Sequence, residues 1–180
     1  MNEGEMSSIF VLSVLIFIKC FVDKHYHHKY RFYLKGRNYR MGIIVSAGKF
    51  SPENLTGLPK PIIYCVTYPG ITDQAVSLNI RIARMLETYS AKHRTMQVEK
   101  CFHKALSELP DGVVICGMDV LCNPEYKIDV MKILVKACKL KPYSLVWPGR
   151  LTGNKLIYAE EGYMDYKEYD VGEYNITCVS

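Results

Sequence analysis

"GVVICGMDVLCNPEYKIDVMKILVKACK", residues 112–139, decides the fold class. It opens on a short apolar run with β-branched residues, preceded by the turn signal Pro110-Asp111-Gly112. That is the pattern of a strand buried on both faces. Asn123-Pro124 then reads as a helix start, because Asn caps helices and Pro suits their first turn. The spacing that follows puts Ile128, Met131, Leu134, Val135 and Cys138 on one side of a helix, and Pro142 ends it.

The same alternation extends both ways. MGIIVS (41–46), PIIYCVT (61–67) and AVSL (75–78) read as strands. NIRIARMLETYSA (79–91) has helical periodicity, through Ile80, Ala83 and Leu86 or through Ile82, Met85 and Tyr89. TMQVEKCFHKALSELP (95–110) is a second helix with Val98, Phe102, Ala105, Leu106 and Leu109 inward. YSLVW (143–147) is a strand ended by Pro148-Gly149. LTGNKLIYA (151–159) holds a Gly-Asn turn and a short strand, and YNITCV (174–179) is the last strand. Apolar strands separated by amphipathic helices predict an α/β domain with a mostly parallel sheet. Ligands bind such sheets at the carboxyl ends of strands. The candidate loops are those after Ser46, Cys116 and Trp147.

The first of them, "GIIVSAGKFSPEN" (42–54), begins as a phosphate-binding loop does. Gly48 would let backbone approach a phosphate, Lys49 would neutralise it, and Ser51 would sit near Mg²⁺. A phosphate loop also uses the N-terminus of a following helix. Gly57, Pro59 and Pro61 leave little room for one here. Asp119, two or three residues past the end of GVVIC, reads either as an acid facing that loop or as a surface turn acid. No Ser/His/Asp or Cys/His arrangement stands out.

The charge is uneven. Of 23 Lys and Arg against 18 Asp and Glu, six cations lie in one acid-free stretch: Lys24, Lys29, Arg31, Lys35, Arg37 and Arg40. They more than account for the excess of five, so the total implies one basic arm rather than a general nucleic-acid-binding surface. Five aromatics interleave the arm, a mixture suited to DNA backbone and bases or to anionic lipid. His25, His27 and His28 lie there too, and a solvated arm seldom holds a metal with them. Before the arm, residues 6–22 are strongly apolar. As a helix they would span roughly 25 Å, against a hydrocarbon core of about 30 Å. Glu3 and Glu5 do not fit a signal-peptide leader. The segment reads in two ways: as a signal anchor holding a cytoplasmic domain to the inner face of the membrane, or as a start-site artefact with translation beginning at Met41. The seven cysteines (Cys20, Cys65, Cys101, Cys116, Cys122, Cys138 and Cys178) are scattered, several of them in apolar runs, without a CxxC pair. They read as reduced, mostly buried thiols, and no metal is expected.

"SLVWPGRLTGNKLIYAEEGYMDYKEYDVGEY" (144–174) carries a resemblance. Trp147, Gly149, Gly153, Leu156, Tyr158, Ala159, Gly162, Asp165, Tyr166 and Tyr169 resemble the end of the small P-loop proteins encoded in type-three BREX (bacteriophage exclusion) systems. Asn79, Ala83, Arg84 and Leu86 in "VSLNIRIARMLE" (76–87) are similar to that family's second strand and helix. "GVVICGMDVLCNPEYKIDVMKIL" is similar to its Walker B strand and the helix after it. The likeness covers about Val76–Val179, with a weaker echo in "YRMGIIVSAGK". It implies a P-loop NTPase-like three-layer domain over 41–180, preceded by an apolar and basic extension at 1–40. It implies a role in phage defence beside methyltransferase, helicase and phosphatase-like proteins. It also implies a divergent member. Only Gly48-Lys49 remains of the phosphate loop, and Cys116 or Gly117 stands where the Walker B aspartate belongs.

The expectation is therefore an accessory protein of a defence system that acts by partner binding on a degenerate nucleotide-binding fold. Two alternatives stay open. One is a divergent ATPase holding ATP and Mg²⁺ with Gly48, Lys49, Ser51 and Asp119. The other is a membrane-anchored α/β binding domain unrelated to defence.

Overall fold

The computed structural model describes residues 42–180. The basic arm, the apolar segment 6–22, its histidines and Cys20 lie outside the described residues. Among the described residues no helix is long and apolar enough to cross a membrane.

Six strands form one parallel sheet: β1 (Ile43–Val45), β2 (Ile62–Tyr64), β3 (Val76–Ser77), β4 (Val114–Cys116), β5 (Ser144–Val146) and β9 (Thr177–Val179). Their order is β1-β9-β2-β5-β4-β3, and every neighbouring pair is parallel. Three more strands, β6 (Arg150–Thr152), β7 (Lys155–Tyr158) and β8 (Lys167–Asp170), make a separate antiparallel sheet between β5 and β9. Among the described residues the helices are α1 (Asn79–Glu87), α2 (Ala91–Ser107) and α3 (Val130–Leu140).

Crossover handedness explains what covers each face. Parallel strands connected through a right-handed crossover put all connections running one way on one face, and those running back on the other. The chain moves from β3 through β4 and β5 to β9 in one direction. These connections carry α1, α2, α3 and the small sheet. They bury the face made by Ile63, Ile115, Leu145 and Cys178 under Phe102, Leu106, Met131, Leu134 and Leu156. The connections β1→β2 and β2→β3 run the opposite way. They bury the face made by Ile62, Tyr64 and Val179 under Phe50, Leu55, Leu58, Tyr68 and Ile71. Three layers result, one of them built of loop with only short 3₁₀ turns at Ala47–Lys49 and Thr72–Gln74.

Helix α3 begins later than its sequence suggests. Asn123 does cap, its side chain accepting from the Glu125 N–H, but it caps a 3₁₀ turn at Pro124–Tyr126. Lys127 then takes a left-handed conformation (φ 49°), which no helix continues through. The helix restarts at Asp129, whose carboxylate accepts from the Lys132 N–H. Met131, Leu134, Val135 and Cys138 are buried as expected, and Ile128 is partly buried. On α1 the buried residues are Ile82 and Leu86, while Ile80 faces solvent.

Candidate functional site

The place to look is fixed by topology. Strand β2 sends the chain to β3 at the far edge, across β5 and β4. Strand β5 sends it the other way, across β2 to β9. Neighbouring strands whose connections diverge leave a crevice beyond their carboxyl ends, where open α/β sheets bind ligands. A cleft of ≈ 370 Å³ lies there, lined by Tyr64, Cys65, Val66, Thr67, Thr72, Asp73, Val146 and Trp147.

Of the three candidate loops, the one after Trp147 borders this cleft, and the phosphate-loop candidate after β1 does not. Strand β1 is the sheet's edge, separated from β2 by β9. Gly48 and Lys49 sit in an exposed 3₁₀ turn and Ser51 is exposed beyond it. Three N–H groups of this turn are engaged within the fold. Ala47 donates to Ser180 O (2.7 Å), and Lys49 and Phe50 donate to Ser46 O (2.8 and 3.0 Å). A phosphate-binding nest needs such groups free. Phe50 turns inward and packs edge-on against Tyr64 and Tyr68, at 5.8 Å from each ring. The segment thus acts as a cover for the sheet.

Asp119 follows β4, four strand spacings from β1, a separation of about 19 Å. Lys49 and Asp119 are therefore not brought to one phosphate. Asp119 has other partners. Asn79, the first residue of α1, donates through Nδ2 to one carboxylate oxygen (2.6 Å) and accepts from the Val120 N–H through Oδ1 (3.0 Å). Tyr158 of β7 donates its phenol to the other oxygen at 3.3 Å. The carboxylate thereby ties α1 and the small sheet to the end of β4.

Gly117, one of the two positions that the resemblance pairs with a Walker B aspartate, has no room for a side chain. Gly117 has φ +54°, and a Cβ there would collide with Ser77 Oγ and lie 3.2 Å from Ser77 Cβ. The Cys116 thiol is directed at Ala75 O, at 3.7 Å. Burial and then the nearby Asp119 push the Cys116 thiol up, and burial pushes Cys122 up to about 12. Both shifts favour the protonated thiol over the nucleophilic thiolate at neutral pH.

The tail residues have structural roles. Trp147 is 4 % exposed. It donates Nε1 to Ile157 O (3.0 Å) and meets Tyr169 edge-on. Gly149 lets β6 pass so close to β7 that an added Cβ would overlap Ile157 O. Tyr158 binds Asp119. Ala159 takes φ +60° at the turn, and Arg150 donates to its carbonyl at 3.3 Å. Tyr166 donates to Glu168, which also pairs with Lys155 at 2.6 Å. Most of these residues fasten or shape the small sheet.

Sequence reasoning marked one border of the cleft, the end of β5 at Trp147, and missed the other, formed by β2 and the loop after it. PIIYCVT was legible as a strand, but nothing local says that it lies at the switch point while MGIIVS lies at the edge. Among the described residues no cluster of three or more His, Cys, Asp or Glu is placed to hold a metal. Comparisons with protein-family models, with curated proteins and with solved structures found no match.

Proposed function

We propose that the chain is an accessory protein of a phage-defence system of the type-three BREX kind, with a P-loop-like fold that binds partner proteins and does not hydrolyse nucleotide. The observation that carries the second half is the lining of the switch-point cleft. Nucleotide binding there would need a cation and free N–H groups for the phosphates, on a loop opening into a helix. Among the described residues the lining holds one charged side chain, Asp73, which is an acid. The connection from β2 to β3 contains only the 3₁₀ turn Thr72–Gln74 where that helix would stand. The defence setting rests on the resemblance over Val76–Val179.

Phage plating on the host tests both halves. Deleting the gene should raise plating efficiency by orders of magnitude, and a gene carrying Lys49→Ala should restore protection to the wild-type level. Unchanged plating on deletion would remove the defence role. A Lys49→Ala variant as unprotected as the deletion would restore the ATPase reading.

A further inference from the structure

The charge of the described domain nearly cancels, yet the fold sorts it. Residues 42–180 hold 16 Lys and Arg and 15 Asp and Glu. The small sheet and its loops, residues 150–173, take six of the acids and three of the cations. Helix α2 carries Lys92, Arg94, Lys100 and Lys104 against one acid, Glu99. Helix α3 carries Lys132, Lys136 and Lys139 and no acid. Both helices cover the same face of the sheet.

Helical spacing turns these lysines outward. The core takes Val98, Phe102 and Leu106 of α2, and Met131, Leu134 and Cys138 of α3. The lysines fall on the opposite side of each helix, and all six are exposed. Lys136 Nζ reaches Glu99 across the gap between the helices at 2.6 Å, so the one acid of the pair is already neutralised. Lys132 pairs with Asp129 at its own helix start (3.0 Å). Lys92, Lys100, Lys104 and Lys139 have no carboxylate partner among the described residues. Arg94 is engaged elsewhere, its Nε donating to Leu86 O and Tyr89 O, each at 3.2 Å.

We propose that the outer face of α2 and α3 is a docking surface for the phosphate backbone of duplex DNA, independent of base sequence. The proposal goes beyond the function proposed above and does not depend on it. Composition selects the partner. Protein interfaces are enriched in aromatics and arginine and depleted in lysine. This face is the reverse: the two helices expose no Phe, Tyr or Trp, and their one arginine is held by backbone carbonyls. Single strands are gripped by stacking on aromatic side chains, which this face also lacks. A membrane-surface helix inserts an apolar face. The apolar faces of α2 and α3 are buried in the core, and only Met96 and Leu140 stand outside as large apolar side chains. What remains is two rows of point charges, at steps of roughly 4.5 to 12 Å along the helices. They suit a polyanion of high, regular charge density, and duplex DNA carries about one charge per 1.7 Å.

The full chain is titrated against a labelled mixed-sequence duplex about two helical turns long, by fluorescence anisotropy at several salt concentrations. A dissociation constant of about 10⁻⁴ to 10⁻⁶ M at physiological salt is expected, with log K falling linearly against log salt. Lys100→Gln, Lys104→Gln and Lys139→Gln combined should weaken binding at least about tenfold and flatten the slope by about one for each lysine removed. These are exposed, unpaired positions, and a thermal melt checks that the variant is folded. Lys49→Gln with Lys155→Gln removes charge from the β1 turn and the small sheet, and should change affinity about twofold or less. The basic arm is intact in every variant. Undiminished affinity of the triple variant therefore places binding elsewhere and overturns the proposal, as does the absence of salt-dependent binding by the wild type. Tighter binding to a single strand of the same length overturns the duplex assignment. Equal, lysine-dependent binding to vesicles of anionic phospholipid overturns DNA as the partner.

Discussion

Replacing Gly149 with alanine should destabilise the domain by about 3 kcal/mol, at the upper end of what overpacking costs. The added Cβ would overlap Ile157 O, and it would stand 2.9 Å from Ile157 C and 3.0 Å from Trp147 Nε1. Two of these three atoms are backbone, and no rotamer change moves them aside. The third is the nitrogen that holds Trp147 to Ile157 O. Relief therefore requires the small sheet to shift from the end of β5, which exposes Leu156 and Tyr169, both buried in the main core. Urea denaturation should show a lowered midpoint, and Trp147 emission should move to the red before global unfolding. A loss below about 0.5 kcal/mol, the range of an ordinary surface change, would mean that the close approach of β6 and β7 is not needed.

Asp119→Ala should cost about 3 kcal/mol, from two hydrogen bonds to a charged acceptor. It leaves the Asn79 amide and the Tyr158 phenol without an acceptor where both are partly buried. Burial, then Cys122 and Asp119, raise the Tyr158 pKa, so the phenol stays a donor at neutral pH. Tyr158→Phe removes only the longer bond and should cost about 1 kcal/mol. The sign separates two roles for the acid. A carboxylate kept for a cation is commonly a stability liability, and its removal leaves the protein as stable or more so. A tether loses stability when removed. Thermal melts of the two variants beside the wild type distinguish these outcomes. An unchanged or raised midpoint for Asp119→Ala would return Asp119 to a catalytic role.

Much of the secondary structure was legible because it is encoded locally. The inward residues of α2 and α3 follow from spacing, and the strands β2, β4, β5 and β9 from short apolar runs. What was not legible depends on partners far away in sequence. Asn123-Pro124 gave a genuine cap signal, yet the left-handed Lys127 stopped the turn and Asp129 supplied the helix cap. Strand β8, KEYD, buries only Tyr169 and has no apolar run to mark it as a strand. The Gly-Lys pair after β1 resembled a phosphate loop because its residues do, and only the sheet order places it at an edge. Asp119 was visible as an acid near the end of β4. Its partners, Asn79 and Tyr158, stand about forty residues away on either side. The candidate site suffers most from this, since a switch point is a property of strand order and leaves no mark in any one stretch.

The central proposal is that this parallel α/β domain holds no nucleotide and works by binding. The most direct test is the melting temperature of the full chain with and without millimolar Mg-ATP. The account predicts no shift, because β1 and β4, the strands that lead to Lys49 and Asp119, stand four strand spacings or about 19 Å apart, and the described lining of the cleft offers no cation. A saturable rise that vanishes in Lys49→Ala would contradict it.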